Sequence, residues 1–193
     1  MNDWSGNYHS VCGCLGARNE CKEPRAEHDF YATQPIAATW LMKIETLSPK
    51  IWECACGEGH LAKPFMQNGY DVLCTDLIDR GFGTGGVDFL KCETPFEGDI
   101  ITNPPYKYAQ DFVEHALNLI TENHKVCMFL KVQFMEGKSR RRLFDTFPPR
   151  TIWVSSSRIQ CGRNGVFSGN MVAYAWYVWE KGFKGTTQLK WFN

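Results

Sequence analysis

Between residues 50 and 131 the chain alternates short apolar runs with segments whose apolar residues recur at helical spacing, and several breaks carry glycine or proline. IWECAC stops at Gly57 and Gly59 and is followed by the helix-like HLAKPFMQNG, closed by Gly69. Pro64 inside that segment is tolerable only in the first helical turn, where its missing N–H has no intrahelical partner to lose. DVLCTDL reads as a second strand, GVDFL ends near a third, and GDIITNPPY is a strand that runs into a Pro-Pro turn. AQDFVEHALNLITENH sets apolar residues at 112, 113, 116, 117 and 120, the period of an amphipathic helix. KVCMFLKVQF is a further strand. Strands and helices in alternation imply crossover-linked parallel strands with helices on both faces, an α/β doubly wound sheet.

The ends of the chain depart from this rhythm. Residues 1–28 are polar and aperiodic and read as an irregular N-terminal arm; residues 29–193 read as one domain. Residues 31 to 47 hold a helical pattern with Pro35 at its start. After a short helix and turn in RRRLFDTFPP, the runs TIWVSSSRI and MVAYAWYVWE flank a Gly/Asn loop and predict a C-terminal antiparallel hairpin at the edge of the mostly parallel sheet.

Composition narrows the setting. No apolar run reaches the length of a membrane span, and the first ten residues have neither the basic nor the apolar part of a signal peptide, so a cytoplasmic protein is expected. Nine cysteines, several inside core-like strands (Cys54, Cys74, Cys127), then read as reduced thiols rather than disulfides. Cys12, Cys14, Cys21 and His28 lack the usual spacing of zinc ligands, and no metal is expected. The formal net charge of zero hides a division: residues 1–100 carry 8 Lys and Arg against 15 Asp and Glu, residues 101–193 carry 13 against 6. Such a division is either ordinary solvation of two faces or a basic half presented to a polyanion.

In ECACGEGHLA, Glu53 closes a strand and Gly57 and Gly59 precede a helix; Asp76 closes the next strand about twenty residues on. Glycines at such a turn let backbone approach a ligand, although a plain tight turn uses the same residues. The third glycine of a dinucleotide loop and the Gly-Lys-Ser/Thr of a phosphate loop are absent. An acidic residue placed like Asp76 can accept from a ribose diol. The pattern resembles the class I S-adenosylmethionine-dependent methyltransferases, which implies a Rossmann-like fold and S-adenosylmethionine as cofactor. By that resemblance Gly57 and Gly59 lie against the methionine part, Asp76 and the adjoining Leu77 meet the ribose, Asp88 and Phe89 meet the adenine, and Glu53 sits under the amino group.

Asn103-Pro104-Pro105-Tyr106, between a strand and an amphipathic helix, is the most specific signal in the chain. The lone pair of an aromatic amine is delocalised into its ring. An Asn carbonyl and a proline carbonyl that accept the two amine hydrogens localise it toward a methyl donor, and Tyr106 offers a stacking face. The tetrapeptide resembles the catalytic motif of amino-methyltransferases acting on adenine N6 in DNA, on some RNAs and on protein glutamine. Asn in first place matches the adenine enzymes. The resemblance makes Asn103, Pro104, Pro105 and Tyr106 catalytic and adds Asn103 to the cofactor contacts.

Tyr31-Ala32-Thr33-Gln34-Pro35 resembles the N-terminal cofactor segment of those DNA enzymes, which implies that Tyr31, Thr33 and Pro35 pack on the methionine end; Thr33 could equally cap the helix that follows. Phe167 matches an aromatic that stacks on a flipped-out base, or it is a hydrophobic plug at a hairpin tip. Lys138, Arg140, Arg141 and Arg142, with Arg150, Arg158 and Arg163, would form a phosphate track if they share a side with Tyr106, and otherwise form a solvated face. The KVQFMEGKSRRRLF and AYAWYVWEKG stretches are similar to compact, often phage-encoded members of the group. The partner implied is therefore DNA, with RNA as the second nucleic acid, in a bacterial or phage-infected cell. A chain of 193 residues leaves no room for a separate recognition domain, so site choice is expected from loops, a second copy or a specificity partner. A methyltransferase-like subunit that only binds nucleic acid is the competing class, though every residue of the tetrapeptide is present.

Overall fold

A computed structural model describes residues 31–162 and 172–193. Phe167, Arg163, the N-terminal arm and its cysteines lie outside the described residues. The central sheet is built from β2 (Lys50–Glu53), β3 (Asp71–Cys74), β4 (Asp99–Thr102), β5 (Lys125–Lys131), β6 (Thr151–Ser155), β8 (Tyr174–Glu180) and β9 (Gln188–Phe192), in the order β3-β2-β4-β5-β8-β6-β9. A separate two-stranded ribbon pairs β1 (Ala32–Thr33) with β7 (Cys161–Gly162). The helices are α1 (Ile36–Ile44), α2 (Ala62–Gln67), α3 (Ala109–Leu119) and α4 (Arg141–Thr146).

β3, β2, β4 and β5 are mutually parallel, as the crossover helices require, and β8 runs antiparallel to both β5 and β6. Strand alternation divides the core in two. Trp52, Ile100, Val126, Met128, Leu130, Ala175, Tyr177 and Trp179 face the side of α3. Ile51, Ile101, Cys127, Phe129, Tyr174, Trp176 and Val178 face the side of α1 and α2. Sequence positions one apart thus enter different cores, the period-two consequence of a pleated strand covered on both faces. The indole N–H groups are satisfied at the price of no polar surface: Trp52 donates to Thr75 Oγ1 (2.9 Å), Trp176 to the Ala37 carbonyl (3.1 Å) and Trp179 to the Phe147 carbonyl (2.9 Å).

Four elements differ from the sequence expectation. GVDFL forms no strand: the Asp88 carboxylate accepts from the Leu90 N–H at 3.2 Å and turns Phe89–Lys91 into a 3₁₀ helix. The hairpin strands do pair, but β8 is interior rather than at the edge, because six of its seven residues are buried and need cover on both faces. The edge on that side goes to β9, a mostly exposed strand parallel to β6 that the sequence reading leaves unassigned. Thr33 does not cap α1; Pro35 stands at that cap and no side chain bonds to it. Pro64 falls in the first turn of α2, as expected.

Candidate active site

The carboxyl ends of β2, β3 and β4 point to one side of the sheet, where a cavity of about 650 Å³ opens. This is where open α/β sheets place ligands, since helices cover the faces and only the strand ends are accessible. Of the expected cofactor residues, Tyr31, Thr33, Glu53, Asp76, Leu77, Asp88, Phe89 and Asn103 line it, and so do Pro104, Pro105 and Tyr106.

Gly57, Gly59 and Pro35 are absent from the lining; they act on the cavity's walls. Gly57 has φ +54° and its N–H donates to Asp76 Oδ2 at 2.8 Å, while the Ile78 N–H donates to Oδ1 at 2.9 Å. The Asp76 carboxylate therefore ties the glycine turn to the end of β3, and each oxygen keeps a second lone pair for a ligand. At Gly59 a Cβ would stand 2.4 Å from the Phe82 ring, so the glycine admits that ring against the turn. Pro35 opens α1.

Glu53 is the most perturbed acid in the cavity. It is 1% exposed, and burial, opposed by the nearby Thr102 hydroxyl and aided by the Asp76 charge, pushes its pKa up to about 8. Its Oε2 has no hydrogen-bond partner. A buried acceptor without a donor costs free energy unless a ligand supplies one. Asp88 pairs with Lys91 at 3.0 Å besides capping Leu90, and Phe89 packs edge-on against Trp52 at 5.2 Å, so its ring belongs to the core and its neighbours Val87 and Leu90 complete an apolar wall. Leu77 is 57% exposed at the rim.

The Asn103 carboxamide has one end held and one end bare. Nδ2 donates to the Tyr31 carbonyl at 3.0 Å and to Thr33 Oγ1 at 2.9 Å, with Cys161 Sγ at 3.9 Å. A backbone carbonyl only accepts, so the group against it is the NH₂ and the amide orientation is fixed. Oδ1 is buried and has no partner. Beside it, Tyr106 stacks on Tyr31 (centroids 5.7 Å apart, planes 23°), donates its hydroxyl proton to the Tyr174 hydroxyl at 3.1 Å, and has the Lys131 ammonium 4.7 Å from its ring centre. Burial raises the Tyr106 phenol well above its usual range, so it stays neutral.

The basic residues do not converge on the cavity. Lys138 and Arg142 are exposed, Arg141 is held bidentate by Asp145 (both contacts 2.8 Å), and Arg140 donates to the Glu136 carbonyl at 2.7 Å while covering the Phe134 ring. Arg150 leaves the phosphate-track group altogether. It binds Glu45 and, at 3.1 Å, Glu180, at the opposite edge of the sheet where β5 and β6 begin. Lysine 107 and Tyr108, next to the tetrapeptide, line the cavity instead. Cys161, Tyr174 and Lys131 also adjoin the site. Tyr174 and Lys131 sit in runs that read as strands and Cys161 in a segment the sequence reading leaves unassigned, and only tertiary proximity to residues 31–33 and 103–106 distinguishes them. Among the described residues no helix is long and apolar enough to cross a membrane, and no group of three or more His, Cys, Asp or Glu is placed to hold a metal ion.

No protein-family model and no curated protein matches the sequence. Solved structures do. A Pyrococcus horikoshii protein assigned as an RNA methyltransferase superposes with a TM-score of 0.59 at 13% identity, covering 91% of this chain and 98% of its own. A Listeria monocytogenes protein assigned as a class I S-adenosylmethionine-dependent methyltransferase gives 0.57 at 11%, covering 96% and 71%. An S-adenosylmethionine-dependent O-methyltransferase of Thermotoga maritima gives 0.56 at 9%, covering 86% and 70%. The fold is thus the Rossmann-like class I methyltransferase fold, mainly parallel with antiparallel strands beyond β5.

Proposed function

We propose that this protein transfers the methyl group of S-adenosylmethionine to the exocyclic N6 amino group of adenine in DNA. The observation that carries the reading is the Asn103 carboxamide, whose NH₂ is consumed by protein acceptors while its buried Oδ1 is left to accept. An acceptor held rigidly at a cavity wall is suited to a substrate that arrives as a donor, and an aromatic amine brings two hydrogens. Asn103 Oδ1 takes one and the neighbouring Pro104 carbonyl is available for the other; Pro105, lacking an N–H, adds no competing donor. The flat aromatic face of the Tyr31–Tyr106 pair suits a planar base taken out of its stack.

The residues present fit the cofactor. Asp76 keeps lone pairs for a ribose diol, Leu77, Val87 and Leu90 offer an apolar wall to the adenine beside Asp88, and the orphaned Glu53 carboxyl suits the amino-acid ammonium. When bound, S-adenosylmethionine supplies an electrophilic methyl group on a sulfonium sulfur. Tyr31 and Tyr106 would position the base, and Asn103 and Pro104 would accept its two amine hydrogens so that the nitrogen lone pair points at the methyl carbon, one of those protons being lost once the N–C bond has formed and the methyl–sulfur bond has broken. The 13 Lys and Arg against 6 Asp and Glu in residues 101–193 support a polyanion over a protein side chain. A second copy or a partner could supply sequence recognition.

The test is transfer of labelled methyl from S-adenosylmethionine to unmethylated DNA, total RNA and protein extract, each digested to identify the product. N6-methyladenine in DNA is expected. Replacing Asn103 by Ala should lower the rate at saturating cofactor by about 10²- to 10³-fold. The Pyrococcus neighbour makes RNA the chief competitor; label confined to RNA or to glutamine would overturn the DNA assignment. Nucleic-acid binding with no transfer to any acceptor would favour a non-catalytic subunit.

A further inference from the structure

We propose that Thr33 and Cys161, facing each other across the β1–β7 ribbon, are positioning residues that hold the Asn103 carboxamide in the orientation that the Tyr31 carbonyl selects. The inference rests on the amino-transfer reading above and names what enforces it. A carboxamide rotated by half a turn keeps its shape but exchanges acceptor for donor. Turned that way, Asn103 would present NH₂ to an amine, and the site would repel the group it is meant to hold.

Three acceptors surround Nδ2. The Tyr31 carbonyl (3.0 Å) can never donate, and Thr33 Oγ1 (2.9 Å) accepts as long as its own proton has somewhere else to go. Cys161 Sγ is within reach of both groups, 3.8 Å from Thr33 Oγ1, where either atom can donate, and 3.9 Å from Asn103 Nδ2. Burial pushes the Cys161 thiol up to about 11, so at neutral pH it remains an uncharged, polarisable acceptor. Reversing the amide would set Oδ1 against the Tyr31 carbonyl oxygen, and the contacts to Thr33 and Cys161 hold the carboxamide plane in the orientation which that carbonyl selects.

The ribbon holds this arrangement independently of the main sheet. Thr33 and Cys161 are register partners. The strands are fastened beyond them by the Gln34 N–H to the Gln160 carbonyl (3.1 Å) and the Gln160 N–H to Gln34 Oε1 (2.9 Å). Thr33 therefore acts on Asn103 across 70 residues of sequence, and the effect of replacing it should fall on turnover. A direct cofactor contact, the role implied by sequence resemblance, would make it fall on cofactor affinity.

The experiment compares Thr33→Val, Thr33→Ser and Cys161→Ala with the unaltered protein, each also in the Asn103→Ala background. The Asn103 side-chain NH₂ signals, assigned by their disappearance in Asn103→Ala, report the hydrogen bonds without any need for activity. In Thr33→Val their hydrogen exchange should quicken about tenfold, the equivalent of one neutral hydrogen bond. The kcat for methyl transfer should fall by about the same factor, with KM for S-adenosylmethionine and for nucleic acid changed less than about threefold. Thr33→Ser should restore both, and Cys161→Ala should give a smaller change in the same direction. In the Asn103→Ala background none of the three should act further. Unchanged exchange in Thr33→Val, or a loss that persists in the Asn103→Ala background, overturns the proposal. If the unaltered protein transfers methyl to no acceptor, the amino-transfer reading falls, and the exchange measurement still decides whether Thr33 and Cys161 hold the amide.

Discussion

Replacing Glu53 by Gln should stabilise the ligand-free protein by an amount that grows with pH. Glu53 is 1% exposed, and its pKa rises from an ordinary 4.5 to about 8 in the folded chain, with burial as the main cause. Below pH 4.5 both states hold the proton and the residue costs nothing through titration. Between the two values the unfolded chain releases it and the folded chain keeps it, so folding takes up a proton and stability falls as pH rises. At pH 7 the gap above 4.5 spans about 2.5 decades, which at ~1.36 kcal/mol each amounts to about 3 kcal/mol. Above pH 8 the folded form ionises too and the cost levels off near 5 kcal/mol. Gln keeps the shape and removes the titration. Urea denaturation of both proteins from pH 5 to 9 gives the difference directly, and other titrating groups such as Asp99 cancel in it. The expected difference is under about 1 kcal/mol at pH 5 and about 3 at pH 7. A difference that stays flat across this range would show that Glu53 is already ionised in the fold, and the reasoning from burial would be wrong. A cationic ligand that restores the charge should release a proton on binding near pH 7, visible in calorimetry as a dependence of binding heat on buffer.

Two further perturbations separate the walls of the cavity from its chemistry. Gly59→Ala forces a side chain into a backbone at φ +78° with its Cβ 2.4 Å from Phe82; a loss of about 2 kcal/mol or more in denaturant titration is expected, and an unchanged midpoint would mean that Phe82 is free to move aside. Glu45→Gln removes the carboxylate that binds Lys125 at 2.9 Å, the Trp153 indole at 2.8 Å and the Arg150 guanidinium. With Lys125 deprived of its carboxylate and Arg150 left with Glu180 alone, about 2 kcal/mol of stability should be lost, while methyl transfer at a temperature well below unfolding stays unchanged because the network lies at the opposite ends of the strands from the cavity.

Much of this protein is written locally. The apolar runs at IWE, DIIT and KVCMFLK name their strands because each is buried on both faces and must be continuously apolar, whereas DVLC is an edge strand with only Cys74 buried. Asn103-Pro104-Pro105-Tyr106 is contiguous, and the Pro-Pro turn at the end of β4 delivers all four residues to the cavity without help from elsewhere. Glu53 and Asp76 were legible for the same reason, one the last residue of β2 and the other two residues beyond β3, at the ends of parallel strands that stop on one side. Local signals misled where a side chain bonded its own backbone: Asp88 captured the Leu90 N–H and cancelled a strand that VDFL suggested by composition. They were silent on β9, whose mostly exposed residues are held as a strand by pairing with β6.

The sequence by itself determined the alternation of elements, and hence the doubly wound sheet and the edge at which its ligand-binding ends gather. Tertiary structure alone decided what surrounds those ends. β8 displaced β6 from its place beside β5 because its residues demanded cover on both faces, a competition between strands that neither run reveals alone. Gly57 and Gly59 proved to shape the turn through Asp76 and Phe82, and Arg150 went to the far edge, since charge along a chain carries no information about which end of a strand it will reach. Thr33 and Cys161 meet Asn103 only because a ribbon joins segments 128 residues apart. Hydrogen-bond direction is a property of that meeting, and it is what turns a carboxamide into an acceptor.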